Sequence, residues 1–137
     1  MRKADWETAL AEYLAGQGGA VFAWGERDCA MFAAGAVEAM TGIDPAAQIR
    51  GRYNSVTGAA RVLKRAGADS LGAWVSARFA EVPPVFAHRG DLVMVDGSLG
   101  ICAGAGAWFV GEDNGAPGLI SRPMLEWDRA WRVPYTG

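Results

Sequence analysis

The sequence predicts an α+β domain, with N-terminal helices and a central helix that begins at a cysteine. These pack on a C-terminal antiparallel sheet or half-barrel. Two observations carry this. Up to Pro83 the apolar residues recur at helical spacing. Pro83-Pro84 stops that pattern, and beyond it they fall in short runs bounded by Gly and Asp, as strands do. A chain of 137 residues is long enough for one self-sufficient core. No repeat or low-complexity tract divides it. Residues 1–137 are therefore read as one unit, helical over about 1–82 and stranded over about 88–137.

Trp6, Leu10, Tyr13 and Leu14 define the first helix, with Asp5 as N-cap and Gly16 as stop. Gln17-Gly18-Gly19 is a loop. The second helix should start near Cys29 with Asp28 as N-cap, run through Met31, Phe32, Ala33, Ala36, Val37 and Met40, and end at Thr41-Gly42. Its alanines and Gly35 predict close packing on several sides, which makes it the central helix. A third helix is expected over Val56 to Ala66, and a weaker fourth over Leu71 to Phe79 with Trp74, Val75 and Phe79 facing inward. Strands are expected at Asp91–Val95, Leu99–Cys102, Trp108–Val110, Gly118–Ser121 and Ala130–Val133. The six tryptophans are read mostly as core, because each aromatic ring buries a large apolar area.

Composition excludes several classes. The chain is 51% hydrophobic and 20% charged, the balance of a folded protein rather than a disordered one. The net charge is -2 and the basic residues are scattered, so no nucleic-acid footprint is read. No apolar run is long enough to span a bilayer. Met1 to Glu7 turns acidic at once, with no apolar segment. This predicts no secretory signal and synthesis in a reducing cytoplasm. Two cysteines, Cys29 and Cys102, form no disulfide framework, and neither CxxC nor HxxxH spacing is present, so no metal and no cofactor are assigned.

Chemistry concentrates in Phe22-Ala23-Trp24-Gly25-Glu26-Arg27-Asp28-Cys29. A cysteine on the first turn of a helix meets free N–H groups and the positive dipole end, which favour a thiolate nucleophile. The same residue also reads as a small buried hydrophobe, a common fate of free cysteine. Trp24 and Asp28 are candidate groove-lining residues. Equally, Trp24-Gly25 could pack the entry loop, and Asp28 is an N-cap first. Asp91 is read as satisfying backbone donors at the start of a strand.

Asp28-Cys29, Gly90-Asp91-Leu92-Val93 and Leu99-Gly100-Ile101, in this order, resemble the NlpC-type cell-wall peptidases, a papain-like family. The resemblance covers roughly residues 20 to 110. It implies a cysteine amidase acting on peptidoglycan peptide bonds, with Cys29 as nucleophile and helix N-terminal amides stabilising the oxyanion. The family's catalytic histidine immediately precedes the Leu-Gly-Ile strand, and here that position is Ser98. A serine hydroxyl cannot take the thiol's proton near neutrality. The only imidazole, His88, lies before Gly90, where the family does not keep its base; it is read as a surface or strand-edge residue, with a rearranged pairing to Cys29 as the alternative. Glu112, Asp113 and Asn114 are near the family's third polar position.

The Phe-x-Trp-Gly-x-x-Asp-Cys opening, Thr41-Gly42-Ile43-Asp44-Pro45 and Tyr53 are similar to a compact branch of that family among bacteriophage and prophage tail proteins. That resemblance implies tail-hub and tail-tip proteins as partners, a virion location, and a structural role with catalysis reduced or lost. The alternative it leaves is an active peptidase working during phage entry. Trp127 to Tyr135, aromatic and arginine-rich, is a candidate interface whose tryptophans could instead complete the core.

Overall fold

The computed structural model describes residues 2–19, 21–113 and 116–134, with Glu112 and Asp113 by backbone alone. Four helices come first: α1 (Trp6–Gly16), α2 (Cys29–Thr41), α3 (Val56–Arg65) and α4 (Leu71–Ser76). Six strands follow: β1 (Ala80–Val82), β2 (Leu92–Val95), β3 (Ser98–Cys102), β4 (Gly106–Asp113), β5 (Ala116–Pro123) and β6 (Arg129–Arg132). They form one open antiparallel sheet in the order β1-β6-β2-β3-β4-β5. The α+β class holds. The helical half ends earlier than expected, because residues 80–82 form an edge strand rather than a helix exit. Ala80 pairs with Arg132 and Val82 with Ala130, a long-range pairing that no local pattern announces.

α2 is central because little of it is polar. Ala30, Met31, Phe32, Ala33, Ala34, Ala36, Val37 and Met40 are all buried, and Gly42 closes the helix in the left-handed conformation. α1 lies so close that a Cβ on Gly35 would collide with the Tyr13 hydroxyl. That hydroxyl donates to the Phe32 carbonyl oxygen at 2.8 Å. α4 stops at Ser76, short of Phe79; Trp74 and Val75 are buried and Phe79 half-buried.

The middle of the sheet is buried on both faces, while the edge strands β1 and β5 contribute no buried residue. Leu92, Met94, Leu99, Ile101, Trp131 and Val133 join the helices in the main core. Val93, Cys102, Phe109, Trp127 and Ala130 form a second, smaller cluster. This alternation along β2 is the period-2 geometry of a strand. Trp127 and Trp131 are 6% and 0% exposed, so they complete the two clusters and cannot anchor a partner. Tyr135 lies outside the described residues.

The two ends of the described chain are tied at Asp91, just before β2. Its carboxylate accepts from Arg2 at 2.9 Å, Arg132 at 2.9 Å, and the backbone N–H groups of His88 at 2.8 Å and Val133 at 3.0 Å.

Burial pushes the Tyr13 phenol from 10.0 up to about 12. The folded state therefore favours the protonated ring. The stability this contributes is complete below pH 10 and is lost as pH rises through about 12. Tyr13→Phe is expected to be less stable at neutral pH, where the hydrogen bond is gone, but to lose less stability than the wild type over that alkaline interval. Denaturant titrations at several pH values check both statements. An unchanged alkaline slope would refute the assignment.

Candidate functional site

The site is built around the entrance to α2. Asp28 has extended backbone and caps the helix, its Oδ1 accepting from the Met31 N–H at 2.9 Å. Its Oδ2 accepts from the Gly25 N–H at 2.8 Å and from the Tyr53 hydroxyl at 2.6 Å. Asp28 is 1% exposed, so these bonds replace the water it has lost. Its role here is to fix the Trp24–Cys29 turn and to dock Tyr53 onto it. Burial, and then the bond to Asp28, hold the Tyr53 phenol well above its ordinary range.

Gly25 completes the turn. Its φ is +82°, and a Cβ there would strike the Tyr53 carbonyl oxygen. Gly25→Ala is expected to cost about 2 kcal/mol or more, from left-handed strain together with overpacking against backbone. It should also weaken the Tyr53–Asp28 contact. Thermal unfolding combined with Tyr53 ring NMR shifts tests this, and a neutral variant would contradict it.

Cys29 is the first residue of α2 and is half-buried beneath a cavity of about 350 Å³. The cavity walls come from Trp24, from the apolar face of α3 (Val56, Ala60, Leu63), from Leu71, and from Ser98 at the start of β3. The Cys29 thiol is pushed up from its ordinary pKa, chiefly by burial and further by the Asp28 charge. The backbone of Leu99, Ala30 and Cys29 itself opposes this by hydrogen bonding that favours the anion. Burial wins, so the thiol is protonated at neutral pH. The helix start alone favours a lowered thiol pKa, but the dipole is a local effect and the opposing desolvation comes from the whole fold.

Ser98 shares the cavity with Cys29. It is placed by the two-residue Asp96-Gly97 turn, with both φ positive at 49° and 80°, that joins β2 to β3. His88 is exposed and does not line this cavity; its backbone N–H is held by Asp91. The chain's single histidine therefore stands outside the site. The side chains of Glu112 and Asp113, and all of Asn114, lie outside the described residues. Trp24 is 39% exposed at the rim, edge-to-face with Phe22 at 5.0 Å between ring centroids.

Sequence reasoning missed the wall opposite Cys29. Val56, Ala59, Ala60 and Leu63 fall at i, i+3, i+4 and i+7, a pattern that marks one helix face. It carries no hint that the face would cover a thiol. Asp69 and Asp96 also line the cavity and carry no motif. Among the described residues no cluster of His, Cys, Asp and Glu is arranged to hold a metal. No described helix is long and apolar enough to cross a membrane.

A family model described as a domain of unknown function (DUF6950) matches residues 1–133, and the chain belongs to that family. No curated protein matches the chain.

Proposed function

We propose that this DUF6950 domain is a papain-like fold of the NlpC type in which catalysis has lapsed, and that it serves as a hub-associated component of a phage tail tip. One observation carries the loss of catalysis. Ser98, which the sequence resemblance aligns with that family's base, lines the cavity over Cys29, and the only histidine of the chain does not line it. A protonated thiol with no base within the cavity has no route to a nucleophile at neutral pH. Asp69 and Asp96 do not substitute, because a carboxylate is far too weak a base to deprotonate a thiol of raised pKa.

The assembly half of the proposal is supported by the exposed Phe22–Trp24 pair at the cavity rim. Paired aromatics beside a concave apolar surface suit the anchor of a protein interface. The phage setting rests on the resemblance of the Phe22–Cys29 opening and of Tyr53 to tail proteins. Tyr53 holds Asp28 in that opening.

The test has two arms. Muropeptides incubated with the purified chain should remain uncleaved, and Cys29→Ala should behave as the wild type does. Mass spectrometry of purified virions should detect the chain in particles, and Trp24→Ala should reduce its incorporation. Cleavage abolished by Cys29→Ala would replace the proposal with the alternative reading, a cysteine amidase acting on peptidoglycan peptide bonds during entry. The observation favouring that alternative is the set of backbone groups of Leu99, Ala30 and Cys29 around the sulfur, which suits a developing anion. Absence from virions would end the structural role.

A further inference from the structure

The basic residues are less scattered than a reading of composition suggests. Of thirteen Lys and Arg, five fall between residues 45 and 68, and none of the fifteen Asp and Glu does. Arg50 is neutralised by Asp44, its Nε 2.8 Å from Oδ2. Arg52, Arg61 and Arg65 form no ion pair with any described residue. All three are exposed, and Arg61 and Arg65 stand one turn apart on α3. Like charges at that spacing repel, and no described carboxylate pairs with either.

The three side chains surround two adjoining concavities. One, of about 290 Å³, is bounded by Arg52, Arg61 and Arg65 together with Asn54, Ser55 and Thr57 at the start of α3. The other, of about 410 Å³, lies between Arg52 and Arg65, with Ile49 and Val62 among its walls. Cationic forks and polar groups thus sit beside an aliphatic hollow. No residue of α3 is buried, so this face is open.

We propose that the α3 face bearing Arg52, Arg61 and Arg65 is a docking surface for an acidic segment of a partner protein, one in which carboxylates alternate with aliphatic side chains. Guanidinium groups bind carboxylates through paired hydrogen bonds, and the hollow beside them accepts an aliphatic residue. A nucleic acid fits less well. The basic strip is confined to a ten-residue helix and the loop before it, while every acidic residue lies on the rest of the chain and would repel an extended phosphate backbone. The proposal is independent of the fate of Cys29, which lies under the opposite, apolar face of the same helix.

A fluorescein-labelled peptide of alternating Glu and Leu is the probe, and a single-stranded oligonucleotide of equal formal charge is the comparator. Fluorescence anisotropy at low salt should show the peptide binding, with affinity falling as salt is raised. Arg61→Gln/Arg65→Gln should weaken it by roughly tenfold or more through loss of charge-assisted hydrogen bonds. Arg61→Lys/Arg65→Lys should retain part of the affinity. Arg122→Gln, an exposed arginine elsewhere, should leave it unchanged. Melting temperatures separate loss of binding from loss of fold. No peptide binding, binding indifferent to Arg61 and Arg65, or tighter binding of the oligonucleotide would each overturn the proposal.

Discussion

Asp91→Ala is expected to cost the fold about 3–5 kcal/mol, the range for removing one partner of a buried charge network. Asp91 is fully buried and the Arg2 side chain is 1% exposed. Without the carboxylate, the Arg2 guanidinium keeps its bonds to the carbonyl oxygens of Val133 at 3.1 Å and Arg89 at 2.9 Å, but it loses the Asp91 ion pair at 2.9 Å. Arg132 keeps the Phe86 carbonyl and loses its carboxylate as well. The N–H of Val133 is left without its acceptor. Asp91→Asn should be nearly as damaging, because an amide turns N–H donors toward groups that are themselves donors. Urea denaturation measures the loss. A double-mutant cycle with Arg2→Met should show strong coupling, since once the carboxylate is gone the buried guanidinium has less to lose. A loss below about 1 kcal/mol would show that Asp91 does not hold the chain ends together as its geometry suggests.

What the sequence revealed was largely what local chemistry decides. Asp28 and Gly42 bound α2 because a side-chain acceptor at one end and a left-handed residue at the other satisfy the helix's own backbone groups. Asp96-Gly97 could be read as a turn because its two residues suit positive φ. β1 could not be read this way. It has three residues, Pro83 follows it, and only its pairing with β6, some fifty positions away, makes it a strand. Whether the strands close into a half-barrel or stay an open sheet is likewise a tertiary outcome, and they stay open. At the site, the position of Cys29 was legible and its chemistry was not. A helix start is a local event, whereas the burial that keeps the thiol protonated comes from α3 and β3, both far away in sequence.

Ser98→His is the most direct probe of the proposed loss of catalysis. Ser98 is exposed, begins β3 after a tight turn, and shares the cavity with Cys29. An imidazole there can be larger than serine without entering the core. In the wild type, alkylation of Cys29 by iodoacetamide should be slower than that of a free thiol at neutral pH, because burial raises the thiol's pKa. In the variant, imidazole can accept the thiol proton and the resulting imidazolium stabilises the thiolate. Alkylation should then quicken and persist to lower pH than in the wild type. If the remaining groups are still arranged for acyl transfer, muropeptide cleavage should rise above background by roughly 10²–10⁴-fold, the usual contribution of a positioned general base. Cys29→Ala/Ser98→His must abolish both signals. Faster alkylation without cleavage would mean that substrate binding, and not only the base, has been lost, and the structural role would stand. A wild type already as reactive as the variant would mean that Cys29 is activated by some other group, and the reading of this chain as catalytically silent would fall.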